Sequence, residues 1–173
     1  MSQPVPRKPT RFEIGFLLLF HAVLSGGFIV AWLTGDEDTY GMHLFAGYVA
    51  LAALAARLAV IPLAAQGSNL GLPRPAASPA VAWLRRVIGG DRQAMKARSP
   101  LLAWMAAAML AFTLAAAVSG WVADRLTSVE DLHEALGEAT PAFVLAHIAI
   151  ALTLHWLRQV ALRQPLPAAA PAS

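Results

Sequence analysis

Four apolar runs, each long enough to cross a lipid bilayer, decide what this chain can fold into. They extend from Phe12 to Leu33, Gly41 to Ile61, Pro100 to Ala123 and Leu132 to Leu157. The hydrocarbon core of a bilayer is about 30 Å thick and takes roughly 20 apolar helical residues to span. Glu13 and His21 are the only polar interruptions of note in the first run. The second ends at Pro62 and carries His43 and Arg57, the third has no charge before Asp124, and the fourth is uninterrupted from Ala139. Charged residues are 13% of the chain and hydrophobic ones 58%, against about 25% and 45–50% in soluble domains. Lipid is therefore the expected solvent. The expected fold is all-α, an integral membrane four-helix bundle over residues 12–158, with no room in 173 residues for a second large domain.

Arg7, Lys8 and Arg11 precede the first run, but that run exceeds the roughly 7–15 residues of a signal-peptide core and reads as a span. Basic residues then set the orientation. Apart from the three before span one, they cluster at Arg74, Arg85, Arg86, Arg92, Lys96 and Arg98 between spans two and three, and at Arg158 and Arg163 after span four. The other two connections are acidic, with Asp36, Glu37 and Asp38 in one and Asp124, Glu130 and Asp131 in the other, and only Arg125 is basic. Both termini (residues 1–11 and 159–173) and the 62–99 loop are expected on the cytoplasmic side, the chain being multi-pass in a bacterial inner membrane. Within the loop, Pro79 to Ile88 reads as a short amphipathic surface helix, Trp83 at the interface and Arg85 and Arg86 toward lipid phosphates. The tail after Arg158 reads as disordered. The basic residues follow the membrane pattern, so no nucleic-acid partner is expected.

Cysteine is absent, which removes disulfides, thiolate metal sites, iron–sulfur clusters and c-type haem attachment. Histidine is left to carry any metal chemistry, and imidazole within a membrane span is costly and usually functional. Distance from the flanking charges sorts four of the five histidines by depth. His21 is 10 residues after Arg11 and His147 is 11 before Arg158, so both sit about 15 Å inside the same edge. His43 follows Asp38 by 5 and His133 follows Asp131 by 2, near the other edge. His133 and His147 stand 14 residues apart, about 40° short of four full turns, so they share a helix face about 21 Å apart along it.

Arg57 lies 14 residues after His43 and faces the same way, at the level of the other pair; its competing role is snorkelling to headgroups. Four residues on from the histidines stand Ser25, Gly47, Gly137 and Ala151, and the two glycines would let a flat macrocycle approach the backbone. His155 has no partner at its depth and reads as an interfacial residue. Two facing imidazole pairs without carboxylates inside the bundle suit bis-imidazole haem better than zinc, copper or a di-iron centre, which would want Glu-x-x-His pairs. The competing reading is that the histidines only hydrogen-bond between helices.

These residues resemble the bacterial cytochrome b561 family, which includes the b-type cytochrome subunits of nickel–iron hydrogenases. The likeness runs through the whole bundle: His21 followed by Thr34 and Gly35; His43 with Gly47 and Arg57; Arg98, Ser99, Pro100 and Leu101 before span three; and Leu132, His133 and Glu134 with His147. The resemblance implies two b-type haems, ligated by His21/His147 and by His43/His133. It departs from the family where some members have a histidine just before the third-span proline; Arg98 and Ser99 stand there. Pro141 inside span four is expected to kink that helix and tilt His133. The expected function is electron transfer across the membrane between a periplasmic redox protein or oxidoreductase subunit and the quinone pool. The alternatives are a stand-alone oxidoreductase passing electrons from superoxide or another small donor to quinone, and a non-redox membrane anchor.

Overall fold

The structure is a computed structural model that describes residues 8–163; the expectations for residues 1–7 and for the tail from 164 onward lie outside it. Every regular element among the described residues is helical. Four helices are long and apolar enough to cross a membrane, so the chain is an all-α, multi-pass membrane protein. Helix is what lipid demands, since no water is present to satisfy backbone N–H and C=O groups and only intrahelical bonding does so within one segment.

Local chemistry sets the ends. Helix α1 (Arg11–Leu33) opens with a capping box: the Glu13 amide donates to Thr10 Oγ1 at 3.2 Å and the Thr10 amide to Glu13 Oε2 at 2.7 Å. It ends at Thr34, whose hydroxyl donates to the Val30 carbonyl at 2.6 Å. A tight turn at Glu37–Thr39 leads into α2 (Tyr40–Val60), which Pro62 terminates through a second turn at Ile61–Leu63. Helices α3 (Ala77–Ile88) and α4 (Arg92–Lys96) lie in the long connection. Helix α5 (Leu101–Ala123) begins where Ser99 Oγ accepts from the Leu101 amide at 3.2 Å. Helix α6 (Glu130–Arg163) has 34 residues, about 51 Å of helix, well beyond the thickness of a bilayer core. It passes through Pro141 as one continuous helix and includes residues 159–163, which the sequence reading assigned to a disordered tail.

Helix α1 packs along α2, α5 along α6, and α2 against α5; direct packing of α6 on α1 or α2 is at most slight. Small residues set the tightest contact. Ala46, Ala50 and Leu54 form a buried stripe on α2, and a Cβ on Gly27 of α1 would lie 3.2 Å from the Ala46 carbonyl oxygen. Large apolar side chains such as Leu18, Phe45, Leu145 and Leu152 face outward, as expected where the surroundings are lipid.

The connection between α2 and α5 is built into the end of the bundle. Arg57, only 5% exposed, donates from Nη1 to the Leu70 carbonyl at 2.7 Å and from Nη2 to the Gly71 carbonyl at 3.1 Å. The Ser68 hydroxyl donates to the buried Glu13 carboxylate and accepts from the Leu70 amide. Trp83, expected at the lipid interface, is instead buried: its indole N–H donates to the Ala94 carbonyl at 2.9 Å. The apolar face of α3 looks toward α5 and α6 across an open groove, Trp83 and Leu84 lining it with Leu101, Ile150 and Leu154. Burial wins because the indole finds both an apolar wall and an acceptor for its N–H. Arg86, expected on phosphates, pairs with Asp91 at 2.7 Å.

Asp91 caps α4 by accepting from the amides of Gln93 and Ala94 at 2.8 and 3.1 Å. The bond from Arg86, helped by these two amides, holds its carboxyl below the usual aspartate range. A lowered native pKa means that the cap persists through the ordinary aspartate range and is lost only as pH falls through the lowered value. Deuterium uptake at Gln93 and Ala94 during an acid titration should stay slow through that range and rise only below it, and Asp91→Asn should abolish the step. Replacing Trp83 with Phe leaves the Ala94 carbonyl without its indole donor at a cost of about 1–3 kcal/mol. Thermal unfolding in detergent should register the loss, and trypsin should cut faster at Lys96 and Arg98.

Candidate functional site

Helix α6 presents His133 three residues after its start and His147 fourteen residues later, on one face. The first meets His43 of α2, with ring centroids 5.9 Å apart and planes at 71°. The second meets His21 of α1, at 6.2 Å and 42°. The four histidines thus come together as two pairs, in the combinations that depth along the chain suggested. The pairs bridge α6 to the two helices against which its direct packing is slight. His155 is exposed at the far end of α6 beside Trp156, Gln159 and Arg163, with no aromatic ring paired to it among the described residues.

Hydrogen bonds fix how the first pair is oriented. Nδ1 of His43 lies 2.8 Å from the carbonyl of Ala31, in the last turn of α1, an oxygen that also accepts the capping amide of Thr34 at 3.3 Å. Nδ1 of His133 lies 3.1 Å from the Ala116 carbonyl and 3.3 Å from the Ser119 hydroxyl. A ring nitrogen facing a carbonyl must carry the proton, so both rings are assigned as Nδ1–H tautomers that donate to these oxygens. Each Nε2 then keeps its lone pair. Tyr40 stacks on His43 at 6.0 Å and 9°, holding the plane of that ring. In the second pair, Nδ1 of His147 is buried without a partner, and His21 makes no hydrogen bond among the described residues.

Two residues of α5 that the sequence reading passed over complete the setting of His133. A Cβ on Gly120 would lie 2.7 Å from His133 Cε1 and 3.1 Å from both ring nitrogens, so any larger residue would displace the ring. Ser119 is buried beside it. The signal available was Ser119–Gly120 in an otherwise apolar run, at the end of α5 that must lie level with His133. Gly47 and Gly137 behave differently: a Cβ on either would meet no atom within 4 Å. Neither serves helix packing, and both leave clear backbone one turn from a histidine. Arg57 is committed to the Leu70 and Gly71 carbonyls, so it ties the connecting loop to α2.

The geometry admits a metal between each pair. Imidazole nitrogen binds a metal at about 2.0–2.1 Å and lies about 1.1 Å from its own ring centre, so two rings flanking one ion have centroids about 6.3 Å apart. The observed 5.9 and 6.2 Å match this within a few tenths of an ångström. Among the described residues no three His, Cys, Asp or Glu side chains converge, so a bare ion would hold only two protein ligands at either place. A macrocyclic cofactor would supply the remaining nitrogens itself, and the clear backbone at Gly47 and Gly137 would leave it room, so the residues present are compatible with haem.

No family model matches this sequence, and no curated protein or solved structure matches it.

Gly120→Ala should cost about 1–3 kcal/mol by overpacking against the imidazole. Gly26→Ala, where a Cβ meets nothing, should be neutral or gain up to about 0.5–1 kcal/mol from helix propensity. Thermal unfolding of the two variants in the same detergent separates the cases.

Proposed function

We propose that the chain is a di-haem b-type cytochrome of the cytochrome b561 type, passing electrons across a bacterial inner membrane between a periplasmic redox partner and the quinone pool. The observation that carries this reading is the pair of imidazole couples on α6, each with the ring separation of a bis-histidine metal site. Ligand tautomers support it as well, since Nδ1–H bonds to backbone carbonyls are the usual way a protein aims Nε2 at a metal.

His21 with His147 and His43 with His133 would hold the two haems, the histidines of α6 standing about 21 Å apart along the helix. Bound haem supplies a one-electron ferric–ferrous couple. Two histidines at each site would leave no free ligand position for oxygen on a bound haem, so the chemistry it would supply is electron relay. Helix α6 keeps His133 and His147 at a fixed spacing. Two of the five N–H donors of Arg57 are engaged on the loop, and its charge would offset a propionate on the side of His21 and His147. The placement of basic residues supports an orientation with both termini and the 62–99 connection in the cytoplasm. The acidic connections at Asp36–Asp38 and Glu130–Asp131 would then face the periplasm and could steer a basic donor.

The deciding measurement is a dithionite-reduced minus oxidised visible spectrum of the detergent-purified chain, with pyridine haemochrome quantitation. Sharp b-type α-bands with about two haems per chain are expected, falling to about one in His133→Ala and in His147→Ala. A well-expressed chain that stays colourless with haem supplied would overturn the reading and leave the histidines as helix-packing residues.

A further inference from the structure

Helix α3 is fastened to the rest of the molecule at both ends. At its start, the Trp104 indole of α5 donates to the carbonyl of Ala76, the capping residue of α3, at 3.3 Å. Toward its finish, the Trp83 indole donates to the Ala94 carbonyl of α4 at 2.9 Å, and α4 in turn packs on α6. Direct packing of α3 on α5 or α6 is at most slight. Between the two fastenings a groove of about 270 Å³ stays open, walled by Trp83, Leu84 and Val87 of α3 and by Ile150, Leu154 and Leu157 of α6. With α4 as the spacer, these apolar walls do not meet. Walls left apart forfeit their dispersion contacts unless something fills the space.

The lining selects what fills it. Its one hydroxyl, on Thr153, donates to the Ala149 carbonyl at 2.8 Å, and its one indole N–H is engaged by Ala94. A polar ring such as a quinone head finds no free donor to orient it there, whereas an alkyl chain needs none. Depth agrees. Arg158 is the first charged residue after the apolar run of α6, and Ile150 stands eight residues before it, about 12 Å deeper along the helix. The groove therefore runs from headgroup level into the hydrocarbon. Charge marks its outer end. Ile150, Leu154 and Arg158 follow at intervals of four on one face of α6, and Arg85 follows Leu84 on α3. Both guanidinium groups are exposed, and neither has a hydrogen bond or ion pair among the described residues. The carboxylate nearest to Arg85 in the chain, that of Asp91, is already held by Arg86 and by the amides it caps.

We propose that this groove binds one phospholipid with an anionic headgroup, an acyl chain lying between α3 and α6 and the phosphate held by Arg85 and Arg158. Guanidinium forks suit phosphate oxygens, and the chain supplies the apolar contacts that α3 does not find on α5 or α6. Such a lipid differs from the ordinary bilayer around the bundle, which exchanges freely and is not sorted by headgroup. The site stands apart from both histidine pairs and does not depend on what they hold. Because α3 reaches α6 through α4, a lipid in the groove adds a second link between them, and binding it stabilises the folded connection.

The test is native mass spectrometry of the full chain in detergent, titrated with dioleoyl phosphatidylglycerol or dioleoyl phosphatidylcholine. One retained phosphatidylglycerol per chain is expected, at a half-saturation roughly 25-fold lower than for phosphatidylcholine, each cation near an anionic lipid contributing about fivefold. Arg85→Gln and Arg158→Gln should each weaken phosphatidylglycerol about fivefold and leave phosphatidylcholine unchanged. Arg125→Gln, at the opposite end of the bundle, should change neither. Ala149→Phe places a ring in the groove from α6 and should remove the retained lipid. Should that variant not fold, the exposed arginines decide the matter by themselves. Equal retention of the two lipids, a phosphatidylglycerol affinity unmoved by both arginine variants, or retention that survives in a folded Ala149→Phe chain would overturn the proposal. Displacement of the lipid by an equal concentration of a short-chain quinone would overturn it too.

Discussion

The structure depends on one helix offering two imidazoles to two different neighbours. A neutral imidazole in hydrocarbon needs a partner for its N–H and a use for its lone pair, and a helix can supply neither from its own backbone. Helix α6 meets the need by facing α2 at His133 and α1 at His147. The 14-residue interval is near enough to four turns that one straight face serves both. Where α1 meets α2 the helices touch through small residues, with Gly27 against Ala46; between α6 and α1 or α2, histidine side chains make the bridge. The same bundle is therefore close-packed on one side and bridged by imidazole pairs on the other.

Much of this was legible because it follows from period and length. The four spans are set by hydropathy alone, and the pairing of histidines follows from counting residues to the nearest charge. What could not be read depends on contacts between segments far apart in the chain. Arg57 shares its spacing from His43 with the interval on α6, which set its level; that its guanidinium also meets the carbonyls of Leu70 and Gly71 could not be read, because nothing local to Arg57 announces that loop. Trp83 has the pattern of an interfacial residue, yet the Ala94 carbonyl lies within reach of its indole only because α4 folds back under α3.

Gly120 is the most instructive omission. A glycine late in an apolar helix reads as a site of helix–helix approach, and the requirement for it comes from a ring 13 residues further along the chain. Gly47 and Gly137 are the converse: their offset of four residues from a histidine was visible in the sequence, and the structure leaves the space beside them clear. Pro141 was expected to disturb His133, but α6 continues through it. A proline within a helix removes one N–H and crowds one carbonyl, here that of Gly137. His133 is also held from outside its own helix by the Ala116 carbonyl and the space at Gly120, so its placement does not rest on α6 alone.

Each histidine pair draws its two members from helices with little other contact, so the pairs and the bundle are thermodynamically linked. A group bound between the imidazoles favours the arrangement in which α6 stands at the right distance from α1 and α2, and it has no comparable site in the unfolded chain. The two sites should not contribute equally. His43 and His133 are already oriented by Ala31, Ala116, Tyr40 and Gly120, so little ordering remains when a group binds there. At His21 and His147 the rings lack such partners and the ordering must accompany binding, which lowers affinity by whatever freedom the rings lose. Orientation by backbone carbonyls would thus tighten the hold of the first pair on any group bound between its rings.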